Sequence, residues 1–192
     1  MINNFTPRVC IVIPVYNGAN YLSQAIDSAL AQTYSNLEIL VINDGSSDDG
    51  ATDAIAKSYG EKIRYFNKPN GGVSSALNLG IEKMKGEYFS WLSHDDLYEP
   101  SKIEKEIEAL AKVENRDNTI VCCSDILVDS KGNKIFHPSK QLGGYFEGSE
   151  LFDRFFSSHL NINGCTLLIP RSAFVRFGGF SRFRYIQDTE CW

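Results

Sequence analysis

Along the first half of the chain, short unbroken apolar runs alternate with segments whose apolar residues recur every three or four positions. Val9 to Pro14 is a β-rich run without a polar break, the pattern of a strand buried on both faces, and Pro14-Val15-Tyr16-Asn17-Gly18 ends it. Asn20 to Gln32 then places Leu22, Ala25, Ile26, Ala29 and Leu30 on one stripe, which predicts a helix lying against a sheet. Leu37 to Asp44 is a second strand ending in a carboxylate, and the turn and cap residues from Gly45 to Gly50 start a helix running to about Tyr59. Ile63 to Asn67 is a short third strand. The glycine-rich loop Lys68-Pro69-Asn70-Gly71-Gly72 comes next, then a helix over Ser74 to Lys85 with Leu77, Ile81 and Met84 inward, which Gly86 stops. The aromatic run Tyr88 to Leu92 is a fourth strand that halts at Asp95-Asp96, and Ser101 to Val113 is a helix with Ile103, Ile107, Leu110 and Ala111 inward. Strands alternating with helices in this way predict a parallel sheet.

After residue 113 the rhythm changes. Thr119 to Val128 is expected to be a strand, Asp129 to Asn133 a hairpin turn, and Lys134 to Phe136 an antiparallel return. Ser149 to Ser157 and Ser172 to Phe177 read as helices, with a strand over Thr166 to Ile169 between them. The expected fold is α/β: a mostly parallel central sheet flanked by helices, with a mixed, antiparallel C-terminal part. No repeat, low-complexity stretch or polar linker divides the chain, so residues 1–192 are expected to form one domain, its halves being 1–113 and 114–192. A helix begins at Thr189-Glu190-Cys191-Trp192 without a cap or glycine stop, which reads as a C-terminal truncation.

Composition narrows the class. With 192 residues and 43% hydrophobic content the chain can bury a sizeable core. No apolar stretch approaches a membrane span and the N-terminus lacks a signal-peptide pattern, so a cytoplasmic protein is expected. Five cysteines without C-x-x-C spacing read as reduced, structural thiols, with Cys10 and Cys122 in apolar strand-like runs. The net charge of −5 gives no support to nucleic-acid binding and is compatible with a site that recruits a cation.

The candidate chemistry lies at strand ends. Asp44, Asp95 and Asp96 all terminate expected parallel strands, and such ends converge on one crevice in an open α/β sheet. Two adjacent carboxylates repel unless a cation or shared proton neutralises them, and Mg²⁺ or Mn²⁺ takes one or two protein carboxylates beside water and phosphate. The plainer alternative is a solvated turn that caps the next helix. Asp44 could accept from a base N–H or a ribose hydroxyl, or form an Asx-type turn; Tyr16 could stack on a base, or simply pack. Gly71-Gly72 permits close approach to phosphate, but an ordinary tight turn needs the same residues, and no Walker or dinucleotide-binding glycine motif is present in the required context. His94 could bind the ion or a phosphate, or serve as a structural hydrogen-bonder. Asp188 could return to the crevice as a general base, or cap a helix.

The order and spacing of these pieces resemble the family 2 inverting glycosyltransferases across nearly the whole chain. The matching residues are Val12 to Asn17, Ile42 to Ser46, Asn70 to Val73 with Asn78 to Ile81, Gly86 to Tyr88, Leu92 to Asp96 with Pro100, Gly178 to Phe180, and Gln187-Asp188. The resemblance implies a Rossmann-like GT-A fold and a nucleotide-sugar site built from Pro14, Val15, Tyr16, Asn17, Asp44, Gly72 and Asp95. It implies Mg²⁺ or Mn²⁺ on Asp95 and Asp96, and Asp188 as the base that deprotonates the acceptor. The implied donor is a nucleoside diphosphate sugar with uridine favoured. The acceptor is a saccharide, lipid-linked in some members, in cell-surface polysaccharide biosynthesis, which would bring the cytoplasmic protein to the inner face of the membrane as a peripheral component. Three departures stand out: Ser93 replaces the first carboxylate of the family's Asp-x-Asp-Asp, Leu77 a common arginine, and Gln187 an acidic residue before the base. They keep open a nucleotide-binding domain without catalysis. A sugar nucleotidyltransferase shares the layout, but its usual basic glycine-rich loop is missing at Pro14 to Ala19.

Overall fold

The computed structural model describes residues 5–129, 133–135, 144–157 and 162–181. Strand β1 (Val9–Val15) lies inside the sheet, with β2 (Leu37–Asn43) and β4 (Tyr88–Trp91) parallel on its two sides and β3 (Arg64–Asn67) parallel outside β2. On the other flank β6 (Leu167–Pro170) runs antiparallel to β4, and β5 (Val121–Cys122) antiparallel to β6. The six-stranded order is therefore β3-β2-β1-β4-β6-β5, the mostly parallel sheet with an antiparallel C-terminal part that the pattern predicts.

Strand periodicity divides the core in two, because successive side chains point to opposite faces. Val9, Ile11, Ile13 and Val15 of β1 pack with Leu22, Ala25, Ile26 and Ala29 of helix α1 (Leu22–Leu30) and with Ile103, Ile107 and Leu110 of α4 (Lys102–Ala111). Cys10 and Val12 face Ala76 and Leu77 of α3 (Val73–Lys83), together with Phe89, Trp91 and Phe180. Helix α2 (Ala51–Ser58) follows β2, and α5 (Gly148–Phe156) and α6 (Arg171–Phe177) belong to the second half. Among the described residues no helix is long and apolar enough to cross a membrane.

Three charged side chains, Glu38, Lys102 and Glu106, are buried in this frame. The Glu38 carboxylate accepts from Arg64 at 2.8 Å and from the Lys85 and Gly86 amides at 2.5 and 2.6 Å, fastening the turn before β4. Lys102 bonds Glu106 one turn on at 2.8 Å, under the Tyr98 ring. Gln32 joins α1 to α4: its amide donates to Glu99 O at 2.9 Å and accepts Ile103 N–H at 3.1 Å.

Two expectations need correction. The strand expected over Thr119–Val128 pairs only at Val121–Cys122, because four-residue β6 offers two partners there, and Ile126, Leu127 and Val128 are exposed with no core face to bury. Beyond it the chain does return antiparallel as expected: Val128 bridges Lys134, Asp129 N–H donates to Asn133 O at 2.9 Å and Ile135 N–H to Leu127 O at 2.7 Å, while Phe136 lies outside the described residues. Leu30, expected on the inward stripe of α1, is exposed at the tip of that helix.

The functional consequence lies in the strand order. From β1 the chain steps outward through β2 to β3, then crosses back to place β4 on the other side of β1. That reversal opens a crevice at the carboxyl ends of β1 and β4, the position at which open α/β sheets bind ligands.

Candidate active site

The loop after β1 forms one wall of the crevice. Tyr16 is 46% exposed, while Pro14 and Val15 are buried at the strand end, so the tyrosine ring is free to meet a ligand. Asn17 adopts φ 51° and its Oδ1 accepts Ser47 N–H at 2.7 Å, while Ser46 Oγ accepts Asn17 N–H at 2.9 Å. These bonds zip the loops after β1 and β2 together. Gly18 N–H donates to Thr52 Oγ1 at 3.0 Å, tying the same loop to α2. A Cβ on Gly18 would collide with Val15 and with the imidazole of His94, so a glycine is required where the loops after β1 and β4 meet.

Asp44, at the end of β2, is 3% exposed and fully engaged. Its carboxylate takes Lys68 Nζ, Gly71 N–H at 3.0 Å and Gly72 N–H at 2.7 Å. The Asx-type turn considered for Asp44 is made by its neighbour: Asn43 Oδ1 accepts Ser46 N–H at 2.9 Å and Ser46 Oγ–H at 2.7 Å. Asp44 instead clamps the glycine loop into place at the start of α3. Gly72 has φ 86° and ψ 167°, a conformation open only to glycine, and directly precedes the N-terminal amides of α3.

Asp95 and Asp96 follow β4 on a turn closed by Asp96 N–H to Ser93 O at 3.1 Å, and both are exposed. Among the described residues neither pairs with Lys or Arg; Asp95 has only the His94 Nδ1 contact at 4.0 Å. Partial burial, with the charges of Asp95 and Asp125 adding to it, raises the Asp96 carboxyl above the ordinary range, against the Cys165 thiol and His94, which favour its charged form. The Cys165 thiol also lies against Ser93, taking its N–H at 3.4 Å with the Ser93 hydroxyl at 3.2 Å. Burial pushes that thiol up to about 12, so it remains S–H at neutral pH. Among the described residues no group of three or more His, Cys, Asp or Glu could hold a metal. A hard cation needs less: two adjacent, otherwise unneutralised carboxylates supply the donors that Mg²⁺ or Mn²⁺ usually takes from protein. The site therefore fits such an ion.

Comparison with known proteins identifies the family and the fold. Residues 10–178 match the model of glycosyl transferase family 2. The chain belongs to that family. A Rickettsia typhi protein described as an uncharacterized glycosyltransferase is 52% identical over 99% of this chain and 59% of its own length, so the chain spans about three fifths of that relative. A hyaluronan synthase of Pasteurella multocida is 41% identical over 62% of the chain and 12% of its own length. Among solved structures, S. aureus TarS 1–349 in complex with UDP superposes with TM-score 0.68 at 15% identity, covering 94% of this chain and 52% of that one. The mannosyltransferase PcManGT of Pyrobaculum calidifontis, in complex with GDP-Man and Mn²⁺, gives TM-score 0.62 at 19% identity over 93% of this chain and 49% of its own. These likenesses establish the GT-A fold.

Within this family 2 domain, the structure brings Pro14, Val15, Tyr16, Asn17, Asp44, Gly72, Asp95 and Asp96 to one end of the sheet. Leu77 is buried in the core beneath α3, so it offers no polar contact to a ligand. The His94 ring lies across Gly18, with its Nδ1 4.0 Å from Asp95. Asp188 and Gln187 lie outside the described residues. The loop that leads toward them is anchored: Asn78 Nδ2 donates to Phe180 O and Asn78 Oδ1 accepts Phe180 N–H, both at 2.8 Å. Four contributors escaped the sequence reading. Lys68 stands directly before the glycine loop, and a cation beside a loop read as phosphate-facing was a usable signal. Ser46, Ser47 and Cys165 carry none, because their roles depend on which loops meet.

Proposed function

We propose that this chain is the donor-binding and catalytic part of a glycosyltransferase that moves a sugar from a nucleoside diphosphate sugar, with a UDP-sugar favoured, to a saccharide acceptor with inversion. One observation carries the reading: Asp95 and Asp96, which have no Lys or Arg partner among the described residues, stand at the switch-point crevice beside Tyr16 and the Asp44-clamped start of α3. That arrangement offers an aromatic face for a base, helix-terminal amides for a diphosphate, and carboxylates for a cation. Mg²⁺ or Mn²⁺ held by Asp95 and Asp96 would neutralise charge on the leaving diphosphate. The protein's own residues orient and exchange protons. The acceptor oxygen attacks the anomeric carbon opposite the diphosphate, the new C–O bond forms as the bond to the diphosphate oxygen breaks, and the electron pair leaves with the nucleoside diphosphate. The acceptor proton passes to a carboxylate, assigned here to Asp188.

Support for uridine is the UDP complex of TarS, and support for a cation is the Mn²⁺ complex of PcManGT. The likeness to a hyaluronan synthase supports a role in polysaccharide synthesis, with a saccharide acceptor, lipid-linked or free, met at the inner face of the membrane. We treat residues 1–113 as the nucleotide-sugar half and 114–192 as the acceptor half of one domain.

The test is product analysis of the full-length protein with a panel of nucleotide sugars. Free nucleoside diphosphate released in an acceptor-dependent way is expected. Pyrophosphate would make the protein a nucleotidyltransferase, and tight binding without any release would leave a nucleotide-binding domain that does not catalyse. Asp188→Asn is expected to keep donor affinity and to lower turnover by about 10²–10⁴-fold, the usual worth of a general base.

A further inference from the structure

We propose that Lys68 is a positioning residue for the donor: its ammonium cancels the charge of Asp44, so that the clamped glycine loop can hold an anionic diphosphate at the start of α3. This rests on the reading that the start of α3 receives the diphosphate of a nucleotide sugar. Asp44 fastens the loop with a carboxylate, accepting Gly71 N–H at 3.0 Å and Gly72 N–H at 2.7 Å, and so sets a negative charge beside the helix start that would face phosphate. Among the described residues Lys68 is the one Lys or Arg that pairs with Asp44.

The lysine is built into the loop. Its backbone N–H donates to Asn43 O at 3.0 Å, while Nζ bonds the Asp44 carboxylate and donates to Pro69 O at 2.6 Å; both side chains of the pair are largely buried. A Cβ on Gly71 would come within 3.0 Å of Nζ and 2.8 Å of Ser75 Oγ, so glycine at 71 leaves the space in which the ammonium lies. The bonds from Gly71, Gly72 and the Lys68 backbone to the end of β2 do not use that ammonium. What it adds is charge. At the effective dielectric of about 20 that holds near protein surfaces, an unpaired charge within about 10 Å of a like charge weakens its binding roughly tenfold. Added salt screens the effect.

The experiment compares the affinities of uridine and UDP, by ligand-detected NMR at fixed Mg²⁺, for full-length wild type, Lys68→Met and the double variant Lys68→Met with Asp44→Asn. Lys68→Met keeps the stem of the side chain without its charge. It is expected to weaken UDP roughly tenfold, with uridine bound close to wild type and the loss of UDP shrinking as salt is raised. In the double variant an uncharged amide oxygen still accepts the loop N–H groups, and UDP affinity is expected to return toward wild type. Should Lys68→Met fail to fold, Lys68→Gln, a polar side chain without charge, takes its place in the same comparison. Equal losses of uridine and UDP would make the lysine a structural tie and overturn the inference. A double variant no tighter for UDP than Lys68→Met overturns it too, because the ammonium would then meet the phosphate itself. Wild type that binds UDP no better than uridine overturns the diphosphate reading, and the inference with it.

Discussion

The Asp44 carboxylate accepts the backbone N–H of Gly72 at 2.7 Å, which ties the end of β2 to the start of α3. Removing that carboxylate does two things at once. Asp44→Ala leaves the Gly71 and Gly72 amides without their acceptor and the largely buried Lys68 ammonium with the Pro69 carbonyl but no counter-charge, at a cost of about 1–3 kcal/mol or more for an unsatisfied buried group. It also frees the glycine loop, so UDP affinity falls with stability. Denaturant unfolding and calorimetry of Asp44→Ala check both; unchanged UDP binding in a folded, destabilised variant would remove the clamp from the binding site.

Gly18 is a packing hinge of a different sort. Its missing Cβ lets the His94 ring and the Val15 side chain close over the loop after β1, and Gly18→Ala forces one of them to move. Overpacking of this kind typically costs about 1–3 kcal/mol. Because His94 precedes Asp95 and Asp96, the displacement is expected to weaken Mn²⁺-dependent donor binding more than it lowers the melting temperature. A melt and a titration on the same preparation decide it. A large loss of stability with wild-type affinity would show that the ring shifts without moving the aspartates.

How far the sequence disclosed this arrangement depended on whether a feature was local. Val9 to Val15 and Tyr88 to Trp91 announced themselves as buried strands because apolar runs of that length have few other uses, and the carboxylates after the second and fourth strands, Asp44 and Asp95-Asp96, were placed at the crevice by topology alone. The Thr119–Val128 run misled for the opposite reason. Its residues favour strand, but a strand needs a neighbour, and β6 is too short to pair beyond Cys122. Asp44 was recognised as a site residue, yet its attachment to Lys68 and Gly72 depends on a contact between loops that no periodicity encodes. Cys165 was read as one of several structural thiols, since its position beside Ser93 results from β6 pairing antiparallel to β4.

Behind the crevice, Lys102 and Glu106 form an ion pair with both side chains almost wholly buried, and Lys102 also lies 3.4 Å from Ser90 Oγ on β4. Glu106→Leu would strand the ammonium under the Tyr98 ring. Breaking a buried pair in this way typically costs about 3–5 kcal/mol. The loss is expected in stability only, since neither residue reaches the crevice. The double variant Lys102→Met with Glu106→Leu should recover most of it, because no buried charge then remains. A double variant as unstable as Glu106→Leu would show that the pair is worth more than its desolvation.

Asp96 carries the pH dependence of the site. Partial burial and the neighbouring Asp95 hold its carboxyl above the ordinary value of 3.8, so the native protein binds this proton more tightly than the unfolded chain does. By linkage, the group's contribution to stability is fully present below the unfolded value and is lost as pH rises through the raised native one. In chelator, Asp96→Asn is therefore expected to melt at or above the wild type near neutral pH, with the difference closing below the ordinary carboxylate range. Mn²⁺ reverses the order, because a ligand that binds only the native state stabilises it, and the ion requires the charged form. Wild type should gain melting temperature with Mn²⁺ and UDP, the gain should fade as pH drops through the raised Asp96 value, and Asp96→Asn should gain little at any pH. Thermal melts of both proteins in chelator and in Mn²⁺ with UDP, across the acid-to-neutral range, read all three. A wild-type gain that persists undiminished below the ordinary carboxylate range would mean that the ion is held without Asp96.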